Sequence, residues 1–369
     1  MHDTKPDYAN LKDAWQALSS GEERRYARDL ATQMGCSEAE LVAAGSGQNV
    51  TPLNKDFGEL IKELGELGEV KILTRNDHVV HEKIGTFAKI SVRGPMGIVL
   101  NRDIDLRLFL NRWAYGFAVE TQIGKDTREN TENDTEKYSR KSLQFFDQQG
   151  MAIHKIFLTE NSNQNAYKEL IAKYRSDEIS PEMGVTENDE VPIMTDDAQI
   201  DVPALRDSWA KMKDVHQFHS LLKKFNCDRH QSFRLIGSKY AEKLTPLALR
   251  EVLQEAAREK ISIMVFVGNN GCIQIHTGII EKIKDMGPWI NVLDPGFNLH
   301  LREDRIAEIW LVRKPTKDGV ITTLELFDSE NKSFALLCGE REIGNPENTA
   351  WSSLAEKMAR YQFVTEAAE

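Results

Sequence analysis

Cysteine is scarce in this sequence, four in 369 residues, and none of Cys36, Cys227, Cys272 and Cys338 sits in a CxxC pair. A zinc or iron–sulfur site built on paired thiolates has little support, and the four are expected to be reduced thiols. Long apolar runs are missing too: no stretch approaches the ~18 residues a membrane span needs, and the opening MHDTKPDYANLKDAW has no apolar signal-peptide core. The expected location is the cytoplasm. Basic residues are outnumbered 47 to 58 by acidic ones, for a net charge of −11. That balance argues against nucleic acid, whose phosphates call for a basic face, and obliges any anionic ligand to find a local basic pocket.

Familiar catalytic motifs are also absent. GSGQNV (Gly45 to Val50) has the wrong spacing for a dinucleotide fingerprint, and Thr51-Pro52 follows where a helix should open, so it reads as a loop. HVVHE (His78 to Glu82) is not the HExxH of a metalloprotease, because the run reads as a strand. There, positions i and i+3 point to opposite faces, so His78 and His81 cannot chelate one ion locally. No Ser/His/Asp elbow, P-loop, flavin motif or nicotinamide motif is found.

What the chain does have is itself, twice. RNDHVVHEKIGTFAKI from Arg75 lines up with GNNGCIQIHTGIIEKI from Gly268 at an offset of 193 residues, and the same offset pairs Leu100 with Leu293, Leu106 with Leu299 and Arg107 with His300. SLQFFD from Ser142 matches TLELFD from Thr323 at an offset of 181, so the first copy carries twelve extra residues, supplied by the polar stretch GKDTRENTENDTEK. Upstream, LKDAW answers LRDSW, and downstream AYKEL answers AWSSL. A duplication on this scale implies two similar halves, residues 1–175 and 204–369, joined by an acidic linker, 176–203, with three prolines and little periodicity. Within each half, helices with Ser or Asp caps (CSEAEL, LTPLALREVLQEAARE) come first. Alternating β-branched runs follow, such as SIMVFVG, CIQIHTG and ITTLELF, and an amphipathic helix closes the half. Strands joined by short turns favour an α+β fold with a large antiparallel sheet and flanking helices in each repeat.

One stretch invites a functional reading. KDVHQFHSLLKKF (Lys213 to Phe225) reads as a helix with the apolar stripe Val215, Phe218, Leu221, Leu222 and Phe225, while Met212, His216, His219, Ser220 and Lys223 share another arc. At about 100° per residue, His216 lies about 160° from the middle of the stripe, and the two imidazoles are about 60° apart on adjacent turns. This second face either meets water or lines a cleft in which a neutral imidazole ligates a metal centre. Free zinc would want further ligands, and NCDRH offers only Cys227, Asp228 and His230. Haem needs one protein ligand, apolar walls and cations for two propionates.

DVHQFHSLLKKFN, VGNNGCIQIHTG, LVRKPTKDG and LNRDIDLRLFLNRW make the chain resemble, over nearly its whole length, the cytoplasmic haemin-degrading factors of bacterial haem uptake, the HemS-type haemin transport proteins. The resemblance implies stacked pseudo-symmetric halves with one haem between them. It places the axial iron ligand on His216, the distal arginine on Arg107, and the propionate-side cations on Arg229, Lys314 and Arg341. Strand alternation sets Arg107 opposite to Leu106 and Leu108, which suits a distal hydrogen-bond donor, although an ion pair with Asp103 or Asp105 would explain it as well. The chain departs from the family at Cys338 and Leu336, where a tyrosine and a glutamine are common, and at His219, a back-up ligand during haem transfer. In the first half, Arg25 falls near the position of His216. Two activities are implied: oxidative opening of the macrocycle to release iron, with electrons from an external reductase, or carriage of haem from the importer to a separate haem oxygenase.

Overall fold

The computed structural model describes residues 8–23, 25–123, 138–176, 178, 183–185, 195–342 and 344–366. The first half runs α1 (Tyr8–Ser19), α2 (Ala27–Met34), α3 (Glu38–Ala43), β1 (Val50–Pro52), α4 (Phe57–Glu63), β2 (Gly68–Arg75), β3 (Val79–Thr86), β4 (Ile90–Arg93), β5 (Met96–Leu100), β6 (Asp105–Phe109), β7 (Tyr115–Ile123), β8 (Tyr138–Phe146), β9 (Ala152–Ser162) and α5 (Gln164–Tyr174). The second repeats that order with α6 (Val202–Ala210), α7 (Gln217–Lys224), α8 (Arg229–Ile236), β10 (Ala241–Leu244), α9 (Ala248–Arg258), β11 (Ile263–Gly268), β12 (Cys272–Gly278), β13 (Ile283–Met286), β14 (Trp289–Asp294), β15 (Phe297–Arg302), β16 (Glu308–Thr316), β17 (Gly319–Phe327), β18 (Ser333–Gly339) and α10 (Thr349–Glu366). The correspondence is element for element, as the repeat requires.

Pairing repeats as well. The first half orders β1-β7-β8-β9-β2 in antiparallel ladders, and the second orders β10-β16-β17-β18-β11 in the same way. The meanders β4-β5-β6 and β13-β14-β15 correspond in turn. The chain divides into two compact units, one gathering residues 1–75, 82–189 and 269–273, the other 76–81, 190–268 and 274–369. The twelve-residue difference falls at one turn: Ile123 pairs with Tyr138 across fourteen intervening residues, whereas Thr316 pairs with Gly319 across two. GKDTRENTENDTEK itself lies outside the described residues, as does half of the linker stretch.

Local signals account for the helix starts. Ser37 and Glu40 form a reciprocal capping box at the head of α3: Glu40 N donates to Ser37 Oγ at 3.2 Å, and Glu40 Oε2 accepts from Ser37 N at 2.8 Å. At α6, the Asp201 carboxylate accepts from Ala204 N at 3.0 Å and Pro203 sits in the first turn. The end of the stretch read as linker therefore begins a helix, because Asp-Val-Pro is an N-terminal signature.

Each unit has two apolar cores. In the first, Leu60, Ile61, Val70, Ile72, Leu143 and Ile156 fill one, and Trp15, Leu41, Val42, Phe117 and Phe146 the other. In the second, the stripe Leu249, Val252, Leu253 and Ala256 of α9 packs with Val265, Leu311, Leu324 and Trp351, while Trp209, Phe218, Phe233, Trp310 and Phe327 close the other. The repeated tryptophans Trp15 and Trp209 are both buried, with their indole N–H groups given to Asn49 Oδ1 at 2.8 Å and to Arg313 O at 3.0 Å. GSGQNV is a turn; a Cβ on Gly45 would lie 2.0 Å from Trp15 Nε1, so packing explains that glycine.

Candidate functional site

His216 does not lie within a helix, as the apolar stripe led us to expect, but immediately before one. Helix α7 starts at Gln217, and His216 has φ −68° and ψ −20° at its head. The cause is Asp214, whose Oδ1 accepts from His216 N at 2.8 Å and faces His216 Nδ1 at 2.6 Å. The short-range bonds Gln217 N to Asp214 O and Phe218 N to Val215 O, each 3.1 Å, finish the turn. Met212 is consequently not on the histidine face: it precedes the helix and is buried against the cluster around Trp209.

The turn has a chemical consequence. With Nδ1–H turned to Asp214, Nε2 points away from the carboxylate as the nitrogen a metal centre would take, and the carboxylate fixes the ring plane. The donors of His216 hold the Asp214 carboxyl below its ordinary range. The His216 side chain is 84% exposed, so the nitrogen is accessible. From α7 inward, Phe218 is buried edge-on to Trp209 at 5.3 Å and stacked on Phe233 at 6.0 Å, while His219, Ser220 and Lys223 are exposed.

Beside α7 the structure gathers the basic residues. Arg229 is the first residue of α8, whose N-cap Asp228 accepts from Gln231 N at 2.8 Å. Lys314 stands on β16 and Glu325 on β17, both buried. Glu325 Oε1 takes Lys314 Nζ at 2.5 Å and Glu325 Oε2 takes Arg229 Nη1. Both cations also lie over the Phe218 ring, Lys314 Nζ 4.6 Å and the Arg229 guanidinium 5.0 Å from its centroid. Burial would raise the Glu325 carboxyl, but Arg229 and Lys314 outweigh it and hold it at about 2. Burial pushes Lys314 down, against the pull of Glu325. His219 is also pushed down, by desolvation and then by the charges of Arg229 and Lys314, so it is within electrostatic reach of both and favours the neutral form.

Arg341 completes the group: its charge lowers Asp214 and acts on the buried Cys338 and Glu347. Desolvation lifts the Cys338 thiol to about 12, so it is protonated, and Cys338 pairs in register with Thr323 on the strand that carries Glu325. Among the residues expected from the sequence, His216, His219, Arg229, Lys314 and Arg341 thus belong to one unit and sense one another's charge. The sequence reading missed Asp214 and Glu325. The signal for Glu325 was the alternation in TLELF, which puts Thr323 and Glu325 on one face and Leu324 and Leu326 on the other.

Arg107 belongs to the first unit. On β6 it is half-buried between the fully buried Leu106 and Leu108, and its guanidinium pairs with Asp105 and donates to Leu106 O at 3.1 Å. The ion pair is with Asp105; burial raises that carboxyl and Arg107 offsets part of the rise. Arg107 lies directly opposite Ile98, and the face it shares carries the exposed apolar side chains Met96, Ile98 and Leu100. His78 and His81 do part company: His78 Nε2 faces Asp328 Oδ2 at 3.2 Å, and the buried His81 meets the Gln274 side chain at 2.7 Å. Among the described residues no three His, Cys, Asp or Glu side chains form a cluster able to hold a bare metal ion, and no helix is long and apolar enough to cross a membrane.

Compared with known proteins, residues 35–174 and 226–358 each match the haemin-degrading HemS/ChuX domain. The chain belongs to this family. It is 43% identical over 328 residues to the hemin transport protein HemS of Yersinia enterocolitica, covering 89% of this chain and 91% of that one. The haem-bound form of PhuS, a haem-binding protein from Pseudomonas aeruginosa, superposes with a TM-score of 0.88 at 42% identity, over 95% of this chain and 99% of that one. ChuS, an E. coli haem oxygenase, gives 0.81 at 36% identity, again over 95% and 99%. The two matched HemS/ChuX stretches contain Arg107, Arg229, Lys314 and Arg341, whereas His216 and His219 lie between them. The two stretches matched by the family model therefore cover the basic residues and stop short of the histidine turn.

Proposed function

We propose that this protein binds one haem, with His216 Nε2 on the iron and Arg229, Lys314 and Arg341 on the propionate side, and that it opens the macrocycle oxidatively to release iron for the cell. The carrying observation is the Asp214–His216 turn: an exposed, oriented imidazole beside a buried cation group in a protein of net charge −11. That donor set fits haem, which asks for one nitrogen ligand and cations, better than it fits a bare ion. Haem would enter as cargo and substrate, supplying the iron at which dioxygen is reduced while an external reductase provides electrons. Arg107 is proposed as the distal hydrogen-bond donor, and its apolar neighbours Met96, Ile98 and Leu100 suit a porphyrin edge. A cytoplasmic location downstream of a haem importer follows from this role.

A second reading has its own support. His219 stands one turn from His216 and favours its neutral form, so the pair can pass a ligand between nitrogens, which suits a carrier delivering haem to a separate oxygenase. The deciding experiment loads the protein with haem anaerobically, then adds dioxygen, a reductant and catalase. Loss of the Soret band with a defined linear tetrapyrrole and free iron is expected of the enzyme. Abolition of all turnover by catalase would leave only peroxide bleaching and establish the carrier.

A further inference from the structure

The two cations assigned to the propionate side are already engaged. Glu325 divides its oxygens between them, Oε2 to Arg229 and Oε1 to Lys314, with Thr323 Oγ1 a further 3.3 Å donor to Oε1. All three partners stand against the buried face of β16 and β17, and Glu325 is fully buried. A carboxylate entering this site must share or displace an internal one. Counting the three cations and Glu325 alone, Arg229 and Lys314 against Glu325 leave +1 and Arg341 brings the total to +2, before the carboxylate of Asp214, on which Arg341 also acts, is added. Without Glu325 the same residues would carry +3. In the other repeat, at the offset of 181 residues, Glu325 corresponds to Gln144, where the two cations pair with Glu38 instead.

We propose that Glu325 is an internal stand-in for a ligand carboxylate: it competes with the propionates for Arg229 and Lys314, and so sets how readily the site gives up its haem. This inference rests on the haem reading above. The physical basis is that breaking a buried ion pair costs much of what the new pair returns, so an internal competitor lowers affinity while keeping both cations charged and aimed when the site is empty. Glu325 thereby acts as a positioning residue in the free protein and as a leaving partner in the bound one. A site made for transfer or turnover needs that exchange; a site made for permanent retention does not.

The test uses the whole chain and Glu325→Gln, measuring transfer of haem to excess apomyoglobin, with the dimethyl ester of haem as the control that lacks the propionate charges. Transfer of haem is expected to slow by about tenfold or more, the worth of one removed competing charge pair, while transfer of the ester changes by less than about twofold. The free variant should melt lower than the wild type and gain more on haem addition. Faster or unchanged release of haem, or an equal change for both ligands, overturns the proposal and leaves Glu325 as a structural ion pair. Should Glu325→Gln not fold, Glu325→Asp withdraws the carboxylate by one methylene and is expected to slow haem release by a smaller factor; release as fast as wild type overturns the proposal in that arm. A wild-type protein with no His216-dependent Soret band would instead refute the haem reading itself, so the two failures are separable.

Discussion

Phe218 links the histidine turn to the basic residues, and Phe218→Ala tests that link. The ring is 2% exposed, packs on Trp209 and Phe233, and lies beneath both Lys314 and Arg229. Truncating a buried phenylalanine costs about 3–5 kcal/mol for transfer and cavity. Each lost cation–ring contact adds about 0.5–1 kcal/mol, more for the buried Lys314 than for the half-buried Arg229. The expected total is roughly 4–7 kcal/mol, large against a domain stability of about 5–15 kcal/mol. Phe218→Leu keeps most of the volume but not the ring face, and should cost about 1–2 kcal/mol. Urea unfolding followed by tryptophan fluorescence is the assay, since Trp209 lies 5.3 Å from the ring and should report the change directly. In parallel, Soret titration should show haem binding abolished in the alanine variant and weakened in the leucine variant, because Lys314 and Arg229 lose the surface that holds them. An alanine cost below about 1 kcal/mol, or equal effects of alanine and leucine on haem binding, would refute the reasoning.

Further outcomes are expected elsewhere. His216→Ala should lose most of the native haem spectrum with its far-UV circular dichroism intact; an unchanged spectrum would transfer the ligand role to His219. Arg107→Ala should keep haem binding but alter distal ligation and turnover, and identical distal spectra would remove it from the site. Glu308, against burial, is held at about 2 by Lys243, His230 and Trp310, so its contribution is complete above about 4.5 and fades as pH falls toward 2. Melting temperatures of the wild type should therefore drop over that window more steeply than those of Glu308→Gln, by the equivalent of about 2–3 kcal/mol, and parallel curves would contradict the assignment. Glu347 is the opposite case: burial lifts its carboxyl to about 7, so keeping it buried becomes costlier as pH rises from about 4.5 through 7. Glu347→Gln should stabilise the protein at pH 8 by about 3 kcal/mol more than at pH 4, which paired thermal melts will show.

The fold was largely legible because duplication is a long-range signal: the offsets 193 and 181 pair most of the strands of the two halves without reference to any one propensity, and the flanking helices follow in the same order. The candidate site was legible only in part. The helical count gave the exposed face of His219, Ser220 and Lys223 correctly but carried the helix too far back, because it could not anticipate that the Asp214 side chain would capture the His216 N–H and delay the first turn. Met212 was misplaced for the same reason. Glu325 was out of reach by a different route. Alternation along β17 showed which face it occupied, but its partners come from α8 and β16, 96 and 11 residues away in sequence, and no local pattern encodes them.

The repeat also bears on why a single haem is proposed. The counterpart of Arg229, at the head of the third helix, is Glu38, and the counterparts of Lys314, Glu325 and Leu336 are Thr121, Gln144 and Lys155. In the first unit the buried acid is on the helix, and the cations, Lys155 and Arg75, reach it from β9 and β2, with Arg75 Nη2 at 2.9 Å from Glu38 Oε2. In the second the helix carries the base and the sheet carries the acid. Each arrangement surrounds one buried carboxylate with two cations, which is how a like charge can be tolerated at either end. Lys155 also lies over a ring, that of Phe146, but among the described residues only the second arrangement sets both cations over one ring next to an oriented imidazole. Immediately before α2, where His216 stands before α7, the first unit has Tyr26, and the preceding Arg25 pairs with Glu23 at 2.5 Å. The first unit therefore has no imidazole at that turn, and among the described residues the second unit alone sets an oriented imidazole beside two buried cations, the donor set on which the proposal of one haem rests.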